Sequence, residues 1–188
     1  HTRGDAALLD GRYADAVSHY EAYLERRPGR HGVLYDLGRA YEGMGETSAA
    51  REAFSVAYEL DPDEPVYIEA LARTMAANGE ADSAFDMLER IALDTHRAEA
   101  YLRLGAFLRD EGLADEAVQA MTIAAHVQPS AEPYRALAEA YALYGSTTRE
   151  IDALRHVLWF SPNDAVARSR VRALGYVPGP TFASPPVP

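Results

Sequence analysis

The sequence predicts an all-α fold assembled as a stack of antiparallel helical hairpins, and three observations carry that prediction. Glycine recurs at Gly11, Gly45, Gly79, Gly112 and Gly145, at spacings of 34, 34, 33 and 33 residues. Between these glycines the apolar residues fall three, four and seven apart, as in Leu34, Leu37, Gly38 and Tyr41, which is the spacing of one helical face. Seventeen residues after four of the glycines stands a proline (Pro28, Pro62, Pro129 and Pro162), which cannot continue a helix. A hairpin of this kind cannot bury its apolar side alone, so it needs neighbours like itself.

The unit is clearest over His31 to Glu64. Its first helix breaks at Gly45, a residue suited to the left-handed position after a helix end. Its second carries Ala50, Phe54 and Ala57 on one face and ends near Leu60, ahead of Pro62. Alanine follows each of the first four glycines by five residues, at Ala16, Ala50, Ala84 and Ala117. The first helices are marked by Leu37-Gly38, Leu71-Ala72, Leu104-Gly105 and Leu137-Ala138. Over roughly residues 1–162 this pattern resembles the tetratricopeptide repeat, whose period is about 34 residues. The resemblance implies a right-handed α-solenoid over residues 1–174, the TPR superhelix. Its repeats fall at about 1–30, 31–64, 65–97, 98–130 and 131–163, with a capping helix over 164–174 and an extended Pro-rich tail over 175–188.

In the first repeat, Gly4 holds the small-residue position of Gly38, and a second helix is expected over about Tyr13 to Arg26. Tyr23 stands where later repeats carry Ala57, Ile91, Ala124 and Val157, so packing there is expected to differ. The third repeat keeps Ile68, Leu71, Ala72 and Met75 inward but has His96 where proline is expected. That histidine reads as a bend or a ligand, or as a tolerated surface substitution. The fourth keeps the pattern through Tyr101, Leu104, Gly105, Leu108, Ala117 and Met121. The fifth places Glu150 at the alanine position. A carboxylate buried there without a partner would cost several kcal/mol, so Glu150 is expected at an exposed crossing or beside an arginine.

The capping helix opens on Asp164, an N-cap residue, and stops at Gly175. Arg168, Arg170 and Arg172 suit the polar outer face that a terminal helix needs. Beyond it, five prolines in the 13 residues from Tyr176 to Pro188 favour polyproline geometry. With Tyr176, Phe182 and Val187 as contacts, this tail is expected to dock on the array or on a neighbouring chain. A flexible linker is the alternative.

Composition narrows the functional classes. The 188 residues are 48% hydrophobic, enough to bury a sizeable core as one domain, and no apolar run is long enough for a membrane span. The net charge of −11 opposes binding to nucleic acid or anionic lipid. Absent cysteine excludes disulfides and thiol chemistry. The six histidines never lie three or four apart, and no phosphate loop, zinc-protease or serine-hydrolase motif occurs. No enzyme activity, cofactor or metal is expected. The chain opens on His1 inside the expected first helix, without a starting methionine. That points to a trimmed or processed form and leans towards the cell envelope or export, with the cytoplasm as the alternative.

What remains is a surface. In the repeats this chain resembles, first helices line a concave groove that binds extended peptides or partner helices. Carried over by position, the groove includes Tyr35, Asp36, Arg39, Glu42, Glu69, Arg73, Leu102, Arg103, Arg109, Arg135 and Glu139. One reading is an arginine ladder of Arg39, Arg73, Arg103 and Arg135 that receives acidic peptides. The other is that in-helix acids three or four residues away, such as Asp36, Glu69, Glu99 and Glu132, already satisfy those arginines. Only Arg109 lacks an acid at such spacings, which makes it the most available member. Lysine is absent, and the lysine–asparagine carboxylate clamp of Hsp70- and Hsp90-binding relatives is not reproduced, so that partnership is disfavoured. Three functions stand: a protein-interaction scaffold that aids assembly of a larger complex, a structural subunit of an oligomer or filament with contacts through array faces and tail, and a regulatory array trimmed from a larger enzyme or sensor.

Overall fold

Helix–turn–helix succession accounts for the whole chain up to its tail. The computed structural model describes residues 2–186, and among them are eleven α-helices. The chain divides into two compact units, His1–Met87 and Leu88–Pro188. The first holds α1 (Thr2–Leu9), α2 (Tyr13–Leu24), α3 (His31–Met44), α4 (Thr47–Leu60), α5 (Pro65–Ala77) and the opening turns of α6 (Ala81–Thr95). The second holds the rest of α6, then α7 (Ala98–Asp110), α8 (Ala114–Val127), α9 (Ala131–Leu143), α10 (Thr147–Phe160) and α11 (Ala165–Ala173), followed by the tail. Each unit is thus a short stack of antiparallel hairpins, an all-α solenoid.

The turns follow from local chemistry. Gly45 closes α3 at φ 79°, its N–H bonding Glu42 O at 2.9 Å while Glu46 N–H reaches Tyr41 O at 2.9 Å. These two bonds satisfy carbonyls that the helix end would otherwise leave open, and the positive φ is cheap only for glycine. In the third repeat the missing proline is replaced by a different device. His96 itself adopts φ 49°, its N–H bonds Ala92 O at 3.0 Å, and its side chain is exposed. It serves as the turn residue, and among the described residues no group of three His, Cys, Asp or Glu side chains is placed to hold a metal.

Packing within each hairpin pairs a very small residue with a large one. A Cβ on Gly4 would come within 2.5 Å of the Tyr20 ring, and one on Gly38 within 2.5 Å of the Phe54 ring. In the second unit a Cβ on Gly105 would meet Met121 Cγ at 2.8 Å and Ala117 O at 3.2 Å. The periodic alanines Ala16, Ala50, Ala84 and Ala117 are fully buried at these close crossings. Burying a side chain as large as Phe54 stabilises by about 1.5–3 kcal/mol, which requires the close approach that glycine and alanine permit. Tyr23, at the position of Ala57, stays half-buried and accepts a hydrogen bond on its hydroxyl from Arg27 at 3.3 Å.

Glu150 breaks the alanine series and is nevertheless buried, at 2% exposure. Arg170 of α11 holds it with a fork, its Nε and Nη2 both donating to the carboxylate, the latter at 3.0 Å to Oε2. Asp164 caps α11, accepting from Ala167 N–H at 2.9 Å, and also receives Arg135 Nη2 at 2.6 Å. The backbone bond first, and Arg135 second, hold its carboxyl below the usual carboxylate range.

Two tyrosines of the first unit are pushed the other way. Burial, reinforced by a 2.7 Å bond to Glu21, raises the Tyr41 phenol to about 12. Burial and a 3.1 Å bond to Asp5 raise that of Tyr20 as well. A phenol that keeps its proton longer when folded contributes fully below the unfolded value near 10 and loses that contribution as pH rises towards the folded value. Wild-type stability should therefore fall above about pH 10, and more steeply than that of Tyr41→Phe. Urea denaturation of both proteins between neutral and alkaline pH measures the difference.

Candidate peptide-binding face

The first helices of the two units present different surfaces. In the first unit Tyr35 is half-buried, its ring 5.5 Å from Phe54 and 5.2 Å from Tyr67, with the Arg39 guanidinium 6.0 Å above it. Arg39 donates to Asp36 at 3.3 Å, whose carboxyl burial pushes upward against that pairing. Arg73 grips Glu42 of the preceding first helix, with Nη2 at 2.8 and 2.9 Å and Nε at 3.2 Å. Arg39 is thus paired within its own helix and Arg73 across to the preceding first helix, so both arginines on this face are matched by an acid.

In the second unit the expected roles shift. Arg109 is not the most available arginine, since its Nε and Nη2 both donate to Asp110 Oδ1, at 3.0 and 2.9 Å. Asp110 is the last residue of α7, where a long arginine stem can fold onto its neighbour, a geometry closed to it in mid-helix. Arg103 is half-buried and has a partner of its own. Leu102 packs against the core around Leu137 and Leu154. Arg135 bypasses Glu132 in favour of Asp164, 29 residues on.

Between α9 and α11 lies a slot of about 160 Å³. Ala138 and Ala142 of α9, Leu154 of α10 and Val166 of α11 line it, together with Arg135, Glu150 and Arg170. Val166 is 70% exposed. Ala142 and Val166 were missed from sequence, and their signal was two alanines one helical turn apart on a first helix, which leave a gap no side chain of α9 fills.

The tail takes the opposite side of the last hairpin, on the second helix α10. Phe182 packs against the core around Leu158, and its carbonyl accepts from Arg155 Nε at 3.0 Å. His156 Nδ1 lies 2.9 Å from Ser184 O, and Ser184 N–H reaches Arg155 O at 3.3 Å. Tyr176 is exposed, its ring 5.7 Å from that of Phe182. Val187 lies outside the described residues.

Residues 7–74 match the family model described as tetratricopeptide repeat. Over this stretch the chain belongs to the tetratricopeptide repeat family. It is 39% identical over 85 residues to small glutamine-rich tetratricopeptide repeat-containing protein 2 of Mycosarcoma maydis, covering 45% of this chain and 24% of that protein. With cellulose synthase operon protein C of Xanthomonas axonopodis pv. citri (strain 306) it shares 28% identity over 156 residues, covering 75% of this chain and 10% of that one. The chain therefore spans about a quarter and a tenth of the length of these two relatives. Among solved structures, MamA superposes with a TM-score of 0.58 at 25% identity over 87% of this chain and 96% of that one. YrrB, described as a TPR protein with an unusual peptide-binding site, superposes with a TM-score of 0.54 at 18% identity over 90% and 88% of the two chains. Tetratricopeptide repeats are typically non-catalytic scaffolds that bind protein partners, and none of the described helices is long and apolar enough to cross a membrane.

Proposed function

We propose that this tetratricopeptide repeat array is a non-enzymatic scaffold that binds an extended segment of a partner protein along the first helices of its second unit. The slot between α9 and α11 carries this reading. Its lining of Ala138, Ala142, Leu154 and Val166 accepts one apolar side chain. Arg135 and Arg170, which also line it, are already matched by Asp164 and Glu150, so they add little net charge. Their remaining N–H groups suit main-chain carbonyls of the bound segment better than a run of acids. Affinity on this reading comes from the apolar anchor, and orientation from the two guanidinium groups. The unusual peptide-binding site of YrrB adds support by analogy of fold.

A photo-crosslinking residue placed at Val166 should capture one discrete polypeptide in the source cells, and the same residue at exposed Gln119 on α8 should not. Ala142→Phe, which fills the slot, should abolish recovery of that polypeptide while the melting temperature stays unchanged. Equal capture at both positions, or equal recovery by Ala142→Phe, would remove the slot from the function.

A further inference from the structure

We propose a second binding site in the hollow beneath the docked tail, one that takes an aromatic side chain of a partner segment whose neighbouring residue is acidic. The hollow measures about 400 Å³. Leu158 and Trp159 at the end of α10, Pro162 in the following turn and Arg168 on α11 form one side, and Pro180 and Ala183 of the tail close the other. Its size lies within the range of ligand pockets, roughly 300–1,000 Å³.

The lining states its own preference. Trp159 and the two prolines offer flat carbon surface, Trp159 remains 51% exposed, and such a surface suits a ring inserted edge-on or offset. The charge at the rim selects the neighbour. Arg168 Nη1 donates to Pro162 O at 3.1 Å, which fixes the guanidinium beside the hollow and leaves further donors open. Among the described residues Arg168 makes no ion pair, whereas Arg135 and Arg170 are each held by a carboxylate. An unpaired arginine at the mouth of an apolar hollow favours a carboxylate from outside, a local preference that works against the chain's net charge of −11. The site also depends on the tail, because Pro180 and Ala183 are in place only while the contacts of Phe182 and Ser184 hold them.

Trp159 is the one tryptophan of the chain, so its fluorescence reports on the hollow directly. Titration with acetyl-Gly-Phe-Glu-Gly-amide should give a saturable blue shift of Trp159 emission. The Phe→Ala and Glu→Gln peptides should each bind at least about tenfold more weakly. Arg168→Gln should weaken the Phe-Glu peptide by about tenfold and leave the Phe-Gln peptide unchanged, and Ala183→Phe should abolish the shift with the melting temperature retained. Absence of a saturable shift up to roughly 5 mM would overturn the proposal, as would equal weakening of both peptides by Arg168→Gln. Loss of the shift in Ala142→Phe would place the peptide in the slot between α9 and α11 instead. An emission shift on deleting residues 187 and 188, with no peptide added, would make the chain's own end the occupant and overturn it too.

Discussion

Arg170→Ala should lower the melting temperature by on the order of 5 °C, whereas Glu150→Ala should leave it unchanged or raise it. The asymmetry follows from where the two partners lie. The Glu150 side chain is 3% exposed and that of Arg170 is 48% exposed, so removing the arginine strands a carboxylate in the core, while removing the glutamate returns the arginine to water. Alanine at position 150 also restores what four other hairpins carry at this crossing, at Ala16, Ala50, Ala84 and Ala117. The double variant should melt with Glu150→Ala, not below it. Thermal melts of the four proteins by circular dichroism close the cycle. Equal and additive losses from both single changes would mean that the pair contributes packing alone.

The second large effect belongs to the glycine crossings. Gly38→Ala should destabilise by about 1–3 kcal/mol, because the new Cβ would stand 2.5 Å from Phe54 Cε1 and the ring has no flexible end to yield. Phe54→Leu alone should also destabilise, by emptying part of the space the ring fills. Together the two changes should cost less than their sum, since the fifth hairpin uses Ala138 and Leu154 at these same register positions and buries both. Urea denaturation of the two single variants and the double gives the coupling. Additivity within about 0.5 kcal/mol would show that glycine and phenylalanine are not matched to each other.

Helices and turns were legible in the sequence because their causes are local. Gly45, Gly112 and Gly145 take the left-handed backbone that ends a helix, and Asp164 caps α11 through its own side chain. The repeat period then supplied which helices neighbour one another. Ion pairing was legible only in part: Arg39 meets Asp36 three residues away and Glu150 lies beside an arginine, both as expected. Arg73 had Glu69 on its own helix and Arg135 had Glu132, yet the structure pairs them with Glu42 and Asp164, 31 and 29 residues away. Those separations are close to one repeat, so a search for opposite charges about one repeat apart on first helices would have found both. Arg109 was misjudged for a different reason, the end of α7, where adjacent side chains can meet. The course of the tail was beyond sequence altogether, since Arg155, His156 and Ser184 hold it largely through main-chain carbonyls and one amide. A backbone group carries no residue-specific signature.

The pair between Glu150 and Arg170 also bears on how such an array can be rearranged. Hairpins joined at a buried alanine are interchangeable, and duplicating or deleting one leaves every remaining crossing supplied with a small side chain. The fifth hairpin is not interchangeable in this sense. Its glutamate requires an arginine on the helix that follows, at the place of Arg170, and none of the other junctions is built to supply it. Copies of the chain lengthened by duplicating the 31–64 hairpin should therefore fold, whereas moving the 131–163 hairpin to an interior position would bury a charge with no partner. Order is written into the array at its last junction, and the earlier junctions leave it open.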